Sequence, residues 1–297
     1  VAEQPFVMSE ILSQPDCWRR AAGLAAQVEE VMPGRNERVA VVGCGTSWFV
    51  AQSYAALREG LGRGQTDAFA ASEFPRGRRY DRVVAITRSG TTTEVLDVLG
   101  ELRGTIPTVA LTADGDTPVG SVADAVVALD FADERSVVQT RFATSALALL
   151  RASVGAELAA AAADAERVLA EPLPPELLEA EQFTFLGRGW TCGLAAEAAL
   201  KMREAAGVWT EAYPAMEYRH GPISVTGPGR VAWVLGESPA GLPDEIAATG
   251  GVFRGSRWDP MAELVLVQRL AVALARRRGL DPDHPRHLTR SVVLDHA

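Results

Sequence analysis

The chain of 297 residues is almost without lysine. Lys201 stands alone, and every other basic side chain in the Lys+Arg total of 29 is arginine. Solubility does not rest on this residue, because arginine carries the positive charge elsewhere. Cysteine is scarce too. Cys17, Cys44 and Cys192 are odd in number and far apart, which argues against a disulfide framework and for a reducing compartment. Of the 4 histidines, only His220 lies outside the C-terminal tail. No apolar run approaches the ~20 residues that span a bilayer, so no membrane partner is expected. The opening VAEQPFVMSEILSQP has neither a basic start nor a long apolar stretch, and is not expected to be a secretory signal. A long basic run is missing as well, and the net charge is −9, so nucleic acid is not an expected partner. The expected location is the cytoplasm. An acidic chain can still bind an anion, but only locally, with aimed N–H groups and hydroxyls.

What is present is a globular composition, 47% hydrophobic and 23% charged, long enough for two domains. Short apolar runs end at Gly43 (RVAVVG), Thr87 (RVVAIT), Thr112 (PTVALT) and Asp130 (DAVVALD). Helix-like stretches near 47–60 and 91–103 lie between them. This alternation predicts a parallel sheet covered by helices. One long Ala-rich helix is expected over about 143–170, stopped by the prolines of EPLPPE, Glu171–Glu176. The pattern then restarts with FTFLGRG, a helix through WTCGLAAEAALKMREAAG, strands at RVAWVLGE and GGVFRG, and a last helix over about 259–278. The two halves superpose at Gly43/Gly187, Gly45/Gly189, Ala51/Ala195 and Ala55/Ala199. Any two strand–glycine–helix units share some of this likeness, but the order of elements repeats as well. The expectation is an α/β chain of two tandem doubly wound parallel-sheet domains, 1–172 and 173–297.

In open parallel sheets ligands bind beyond the carboxyl ends of the strands. Two such ends are rich in hydroxyls: GCGTS, Gly43–Ser47, and TRSGTTTE, Thr87–Glu94. Glycine lets the backbone approach a ligand, and the N–H groups of a helix start point at it. Ser47, Thr87, Ser89 and Thr92 supply further donors, a set that suits phosphate. Helix capping alone accounts for one hydroxyl per helix start, not for a cluster. Two familiar phosphate motifs fail here. The dinucleotide fingerprint needs a third glycine where Trp48 stands, and a Walker A loop needs a lysine that is absent.

Glu197, Lys201 and Glu204 are spaced i, i+4, i+7 and fall on one helix face. On a solvated face they make an ordinary ion-pair ladder. The alanine-rich helix predicts burial instead, where charges are paired or functional. A carboxylate beside a cation stays ionised and can accept a proton. His220 sits in AMEYRHGPIS, in a loop, where a lone histidine is commonly an ordinary surface residue. The tail run DPDHPRH places Asp281, Asp283, His284 and His287 close together, but its prolines prevent a helix from aligning them as metal ligands. No metal and no organic cofactor is expected.

Taken in order, SEILSQP, VVGCGTS, ASEF (Ala71–Phe74), TRSGTTTE, ERSVVQT (Glu134–Thr140) and LGRG…EAALKMREA…EAYPAMEYRHGP resemble the sugar isomerase (SIS) family over almost the whole chain. The likeness is to the isomerase half of glucosamine-6-phosphate synthase and to single-function phosphosugar isomerases and deaminases. It implies flavodoxin-like SIS domains. It also implies roles. Ser47, Thr87, Ser89 and Thr92 hold a sugar phosphate, with Arg88 where the family often has glutamine, and ASEF is the second-strand segment. Glu204 is the base that moves a proton between carbon 1 and carbon 2. His220 opens the sugar ring from the neighbouring subunit, so a homodimer is implied. Thr46, Val137 and Gln139 lie beside the sugar, and Lys201 orients Glu204 and stabilises developing oxyanions. Arg290 stands where the synthase has an imine-forming lysine, and arginine cannot form that bond.

The expected activity is aminosugar-6-phosphate deaminase or ketose/aldose isomerase. A sugar–amine deglycase and a non-catalytic sugar-phosphate sensor are the alternatives. No glutaminase domain and no DNA-binding domain is expected in this chain. A nucleotide-binding oxidoreductase is disfavoured by Trp48.

Overall fold

The computed structural model describes residues 4–294. Two short helices, α1 (Phe6–Leu12) and α2 (Gln14–Leu24), precede an alternation of strands and helices. It runs β1 (Val39–Gly43), α3 (Thr46–Gly60), β2 (Thr66–Ala70), β3 (Arg82–Ile86), α4 (Thr93–Leu102), β4 (Thr108–Thr112), α5 (Val119–Val122) and β5 (Ala125–Ala128). Helices α6 (Arg141–Ser153), α7 (Ala159–Ala170) and α8 (Pro175–Leu178) follow. The alternation resumes with β6 (Gln182–Gly187), α9 (Thr191–Ala206), β7 (Thr210–Pro214), β8 (Arg230–Leu235), α10 (Leu242–Ala248) and β9 (Val252–Arg254), and closes in α11 (Pro260–Arg277).

The fold is α/β with two all-parallel sheets. The first has the order β2-β1-β3-β4-β5 and the second β7-β6-β8-β9. Central strands such as VAVVG are buried along their whole length, as expected for a parallel sheet covered on both faces. Alternate residues feed one layer of the core. Ala40, Val42, Val83, Ala85 and Ala110 pack with Val95, Val98 and Leu99 of α4. In the second sheet, Leu186, Ala232 and Val234 pack with Leu242 and Ile246 of α10. In both sheets the order reverses beside the first strand, at β1/β3 and at β6/β8. Such a switch point opens a crevice at the strands' carboxyl ends.

Two expectations need correction. The single helix over 143–170 is two helices. Val154 and Ala156 both donate to the Arg151 carbonyl, and Gly155 takes φ 95°, which turns the chain out of the helix. ASEF is not a strand: β2 ends at Ala70, and Ala71–Glu73 is a 3₁₀ turn. In space the described residues form two compact units that interleave along the chain. One compact unit contains the first sheet, with Asp16–Glu134, Arg141–Leu158 and the tail from Thr289. The other contains the second sheet, with the chain before Asp16, Arg135–Thr140 and Ala159–Leu288. The reason is helix packing, since α1 and α7 both pack on α11. Asp283 fastens α1 further, accepting the N–H groups of Phe6 and Val7 at 2.8 Å each.

Candidate functional site

The first-sheet unit holds the hydroxyl loops. β1 ends at Gly43 and the chain turns through Cys44 and Gly45 into α3, which begins Thr46-Ser47. A β-carbon on Gly43 would lie 2.7 Å from the Ser47 β-carbon, so only glycine allows this close turn. Gly187 faces Thr191 in the same way in the second sheet, with 2.3 Å to its carbonyl oxygen, a structural echo of the repeated sequence. Thr46 and Ser47 are both buried, and the Ser47 N–H donates to the Cys44 carbonyl at 3.1 Å. Burial, followed by the charge of Glu94, pushes the Cys44 thiol up to about 11.

β3 ends at Ile86, and the loop Thr87–Thr92 leads into α4. Thr87 is 4% exposed and its Oγ1 has no hydrogen-bond partner among the described residues. Ser89 and Thr91 converge: the Thr91 hydroxyl is 3.0 Å from the Ser89 Oγ, and the Thr91 N–H donates to the same oxygen at 3.2 Å. The Arg88 guanidinium is directed elsewhere. Its Nη1 lies 3.3 Å from Glu134 in an ion pair with both side chains at most 1% exposed. Its Nη2 donates to the Arg290 carbonyl at 3.1 Å. Arg290 in turn pairs with the Asp133 carboxylate and donates to the Glu134 carbonyl. Sequence reasoning missed Ser291, whose hydroxyl reaches Ser89, Thr91 and Thr92 from some 200 residues away.

The second-sheet unit holds the acid–base residues. α9 is rich in alanine and packs on β6, β7 and α11, which buries its charged stripe. Lys201 Nζ lies 3.4 Å from Glu197 Oε1 and 2.5 Å from Glu204 Oε2. The Lys201 and Glu197 side chains are 1% and 2% exposed, whereas Glu204 retains 19%. The stripe is therefore a buried ion triad with one carboxylate reaching outward. Glu204 lines a cleft of about 350 Å³ together with Arg203, Asp281, His284 and Arg286. Burial pulls the Arg203 guanidinium below its ordinary value, despite the nearby charges of Glu204 and Glu197.

Lys201 is closely packed: the cavity it lines with Val7, Ile11, Ala205, Gln268 and Val272 measures only about 10 Å³.

Val137 donates its N–H to the Asp283 carbonyl at 2.9 Å. The Gln139 Oε1 is shielded and has no partner among the described residues. Both belong to a segment fixed by Glu10, which accepts from the Arg135 N–H and from the Ser136 N–H and hydroxyl. His220 follows the 3₁₀ turn Glu217–Arg219 and is exposed. In the tail run, Asp283 is committed to α1 and Asp281 to His284, 3.0 Å away. Among the described residues no group of three or more metal-type ligands occurs. Among the described residues no helix is long and apolar enough to cross a membrane.

Residues 35–155, which contain both hydroxyl loops, match the SIS domain. That stretch of the chain is a SIS domain. Beyond the SIS domain itself, 98% of the chain aligns at 30% identity with 59% of the isomerizing glutamine–fructose-6-phosphate aminotransferase of Thermus thermophilus. The chain spans between 51% and 59% of the length of the curated relatives it matches. Among solved structures it is similar to a glucosamine-6-phosphate deaminase from Thermotoga maritima, with a TM-score of 0.82 and 24% identity over 97% of this chain and 99% of that one. It is also similar to a tagatose-6-phosphate ketose/aldose isomerase from Escherichia coli, with a TM-score of 0.77 and 18% identity over 98% and 97% of the two chains. Likeness at these identities shows a shared fold over nearly the whole chain.

Proposed function

We propose that the protein is a sugar 6-phosphate enzyme that shuttles a proton between carbon 1 and carbon 2, as an aminosugar-6-phosphate deaminase or a ketose/aldose isomerase. In this reading 1–172 and 173–297 are tandem SIS domains of a cytoplasmic homodimer. The observation that supports it most is the buried Lys201 ammonium 2.5 Å from the partly exposed Glu204. This arrangement presents an oriented carboxylate beside a fixed positive charge, which is what enolisation requires. The names of the relatives, built on fructose 6-phosphate, glucosamine 6-phosphate and tagatose 6-phosphate, point to the same substrate class.

The chemistry follows from the residues. Ser47, Thr87, Ser89 and Thr92 hold the phosphate, with Arg88 supplying positive charge behind the loop. His220 of one protomer serves the ring-opening step in its partner, consistent with its exposure. Glu204 removes the proton from carbon 2 of the open-chain aldose. The C–H electron pair becomes a carbon–carbon double bond, and the carbonyl pair moves to O1, which takes up a proton. Return of the proton to carbon 1, with loss of the O2 hydroxyl proton as the carbon 2 carbonyl forms, gives the ketose. With an amine on carbon 2, the same transfer leaves an imine there, and water converts it to ketose and ammonia. Thr46, Val137, Gln139 and Arg290 lie beside the sugar. No covalent enzyme–sugar imine is needed. Lys201 is held between two carboxylates, and arginine at 290 cannot form one.

The test is ammonia release from glucosamine 6-phosphate and galactosamine 6-phosphate, with Glu204→Gln as control. Release that vanishes in the control supports a deaminase with Glu204 as base. Ketose formation from aldose phosphate without ammonia supports the isomerase. A thermal shift with sugar phosphates that survives Glu204→Gln, with no turnover of any phosphosugar or sugar–amine conjugate, leaves a sensor in place of an enzyme. If neither turnover nor shift is seen, the phosphate site itself is refuted.

A further inference from the structure

The chain from Thr289 to Leu294 lies along the start of α4 and is fastened at both ends. At its beginning the Arg290 guanidinium forks onto the Asp133 carboxylate and the Glu134 carbonyl. The Arg290 carbonyl accepts from Arg88 at 3.1 Å. Arg88 is itself fixed by the buried Glu134, so one ion pair supports both the loop and the tail. At the far end, the Val292 carbonyl accepts the Thr93 N–H at 3.2 Å, and the Leu294 N–H donates to the Thr93 hydroxyl at 2.9 Å.

Between these two anchors the Ser291 hydroxyl meets the loop. Ser89 donates to it at 3.1 Å, Thr91 donates to it at 2.9 Å, and Thr92 lies at 3.4 Å. Each hydroxyl carries one proton to donate and lone pairs to accept. Among these four oxygens Thr91 divides one proton between Ser89 and Ser291. Thr87, at the start of the same loop, carries a further hydroxyl that is buried and without a partner among the described residues. The cluster is made of hydroxyls, each able to turn its proton toward an anion. A phosphate, which only accepts when fully ionised, is the ligand that would collect these protons.

We propose that Ser291 is a phosphate-binding residue of the hydroxyl loop, and that Arg290 is the positioning residue that clamps it there. The inference rests on the phosphate role of the loop and adds the C-terminal segment to it. The segment functions as part of the cradle, and an anion bound to the loop draws it tighter.

The experiment is calorimetric titration of the full chain with inorganic phosphate, for wild type, Ser291→Ala, Ser291→Thr and Arg290→Met. Hydrogen–deuterium exchange of 289–294 is followed with and without phosphate. Losing one hydrogen bond to a charged ligand is expected to weaken phosphate binding about tenfold in Ser291→Ala. Ser291→Thr keeps the hydroxyl and stays within about threefold of wild type, which separates loss of a donor from loss of fold. Arg290→Met weakens binding and speeds exchange of the tail, and phosphate slows that exchange in wild type. Phosphate binding to Ser291→Ala as tight as to wild type, or tail exchange that accelerates when phosphate is added, overturns the proposal while leaving the phosphate loop intact. If wild type binds no phosphate, the loop's own role fails and this inference falls with it.

Discussion

Replacing Lys201 by methionine tests whether the α9 stripe is a buried ion triad in energetic terms. At an effective dielectric of about 20, a charge pair at 3.4 Å attracts by roughly 5 kcal/mol and one at 2.5 Å by roughly 7. Desolvation costs several kcal/mol per ion, so the intact triad contributes little net stability. The loss of one member is different. Lys201→Met removes the cation between two carboxylates, one of them 2% exposed, and breaking such a buried pair costs about 3–5 kcal/mol. Urea unfolding at pH 7 is the assay. The cost should shrink in a Glu197→Gln background, which leaves one fewer carboxylate to compensate. Lys201→Arg keeps the charge but forces a bulkier head into a site where the side chain is 1% exposed, so a smaller loss of about 1–3 kcal/mol is expected. A Lys201→Met penalty below about 1 kcal/mol, or one that is unchanged in the Glu197→Gln background, would refute the triad as the reason for this lysine.

Three further outcomes follow from other contacts. The Cys44 thiol, pushed up to about 11 by burial and by Glu94 from an ordinary value of 9.0, should carry about a hundredfold less thiolate at pH 8. Iodoacetamide labelling followed by mass spectrometry should therefore find it slower by that factor than in the urea-unfolded chain, and equal rates would contradict the burial. Asp283→Ala strips the start of α1 of its acceptor for Phe6 and Val7, a capping loss of about 1–2 kcal/mol measurable by urea unfolding. Burial raises the Glu37 carboxyl, but hydrogen bonds from Arg82 and Gly34 and the charges of Arg82 and Arg58 outweigh it, and the net shift is downward. Its contribution is therefore present above the unfolded value near 4.5 and lost as pH falls through the folded value. Wild type should lose stability on acidification below that value more steeply than Glu37→Gln, and parallel curves would contradict this.

The legible parts of the fold were those where burial is total. RVAVVG, RVVAIT and PTVALT are continuous apolar runs closed by turn residues, and they are the central strands of the first sheet. β2 and β7 escaped because TDAFA and TEAYP are half-buried edge strands that open on two polar residues, leaving no apolar run long enough to detect. The break at Gly155 escaped because alanine on both sides favours helix more strongly than one glycine disfavours it. The stripe of Glu197, Lys201 and Glu204 was legible because helix periodicity alone puts three charges on one face. Its burial was legible only indirectly, from the alanines around it.

The contacts made by the first and last segments of the chain could not be read from local pattern. Asp283 in DPDHPRH has the composition of a weak metal motif, yet both of its oxygens serve the N–H groups of α1, 276 and 277 residues away. A carboxylate that caps a distant helix leaves the same local signature as one that binds a cation, so only tertiary contact distinguishes them. Arg290 makes the same point from the opposite direction. Read along the chain, it is the loss of a reactive amine. In three dimensions its planar fork engages the Asp133 carboxylate and the Glu134 carbonyl at once, a task that suits a guanidinium better than the point charge of a lysine. The residue that rules out an imine at this position therefore also fastens the tail to the hydroxyl loop. The chain's preference for arginine is chemically meaningful at 290, just as its single exception is at 201.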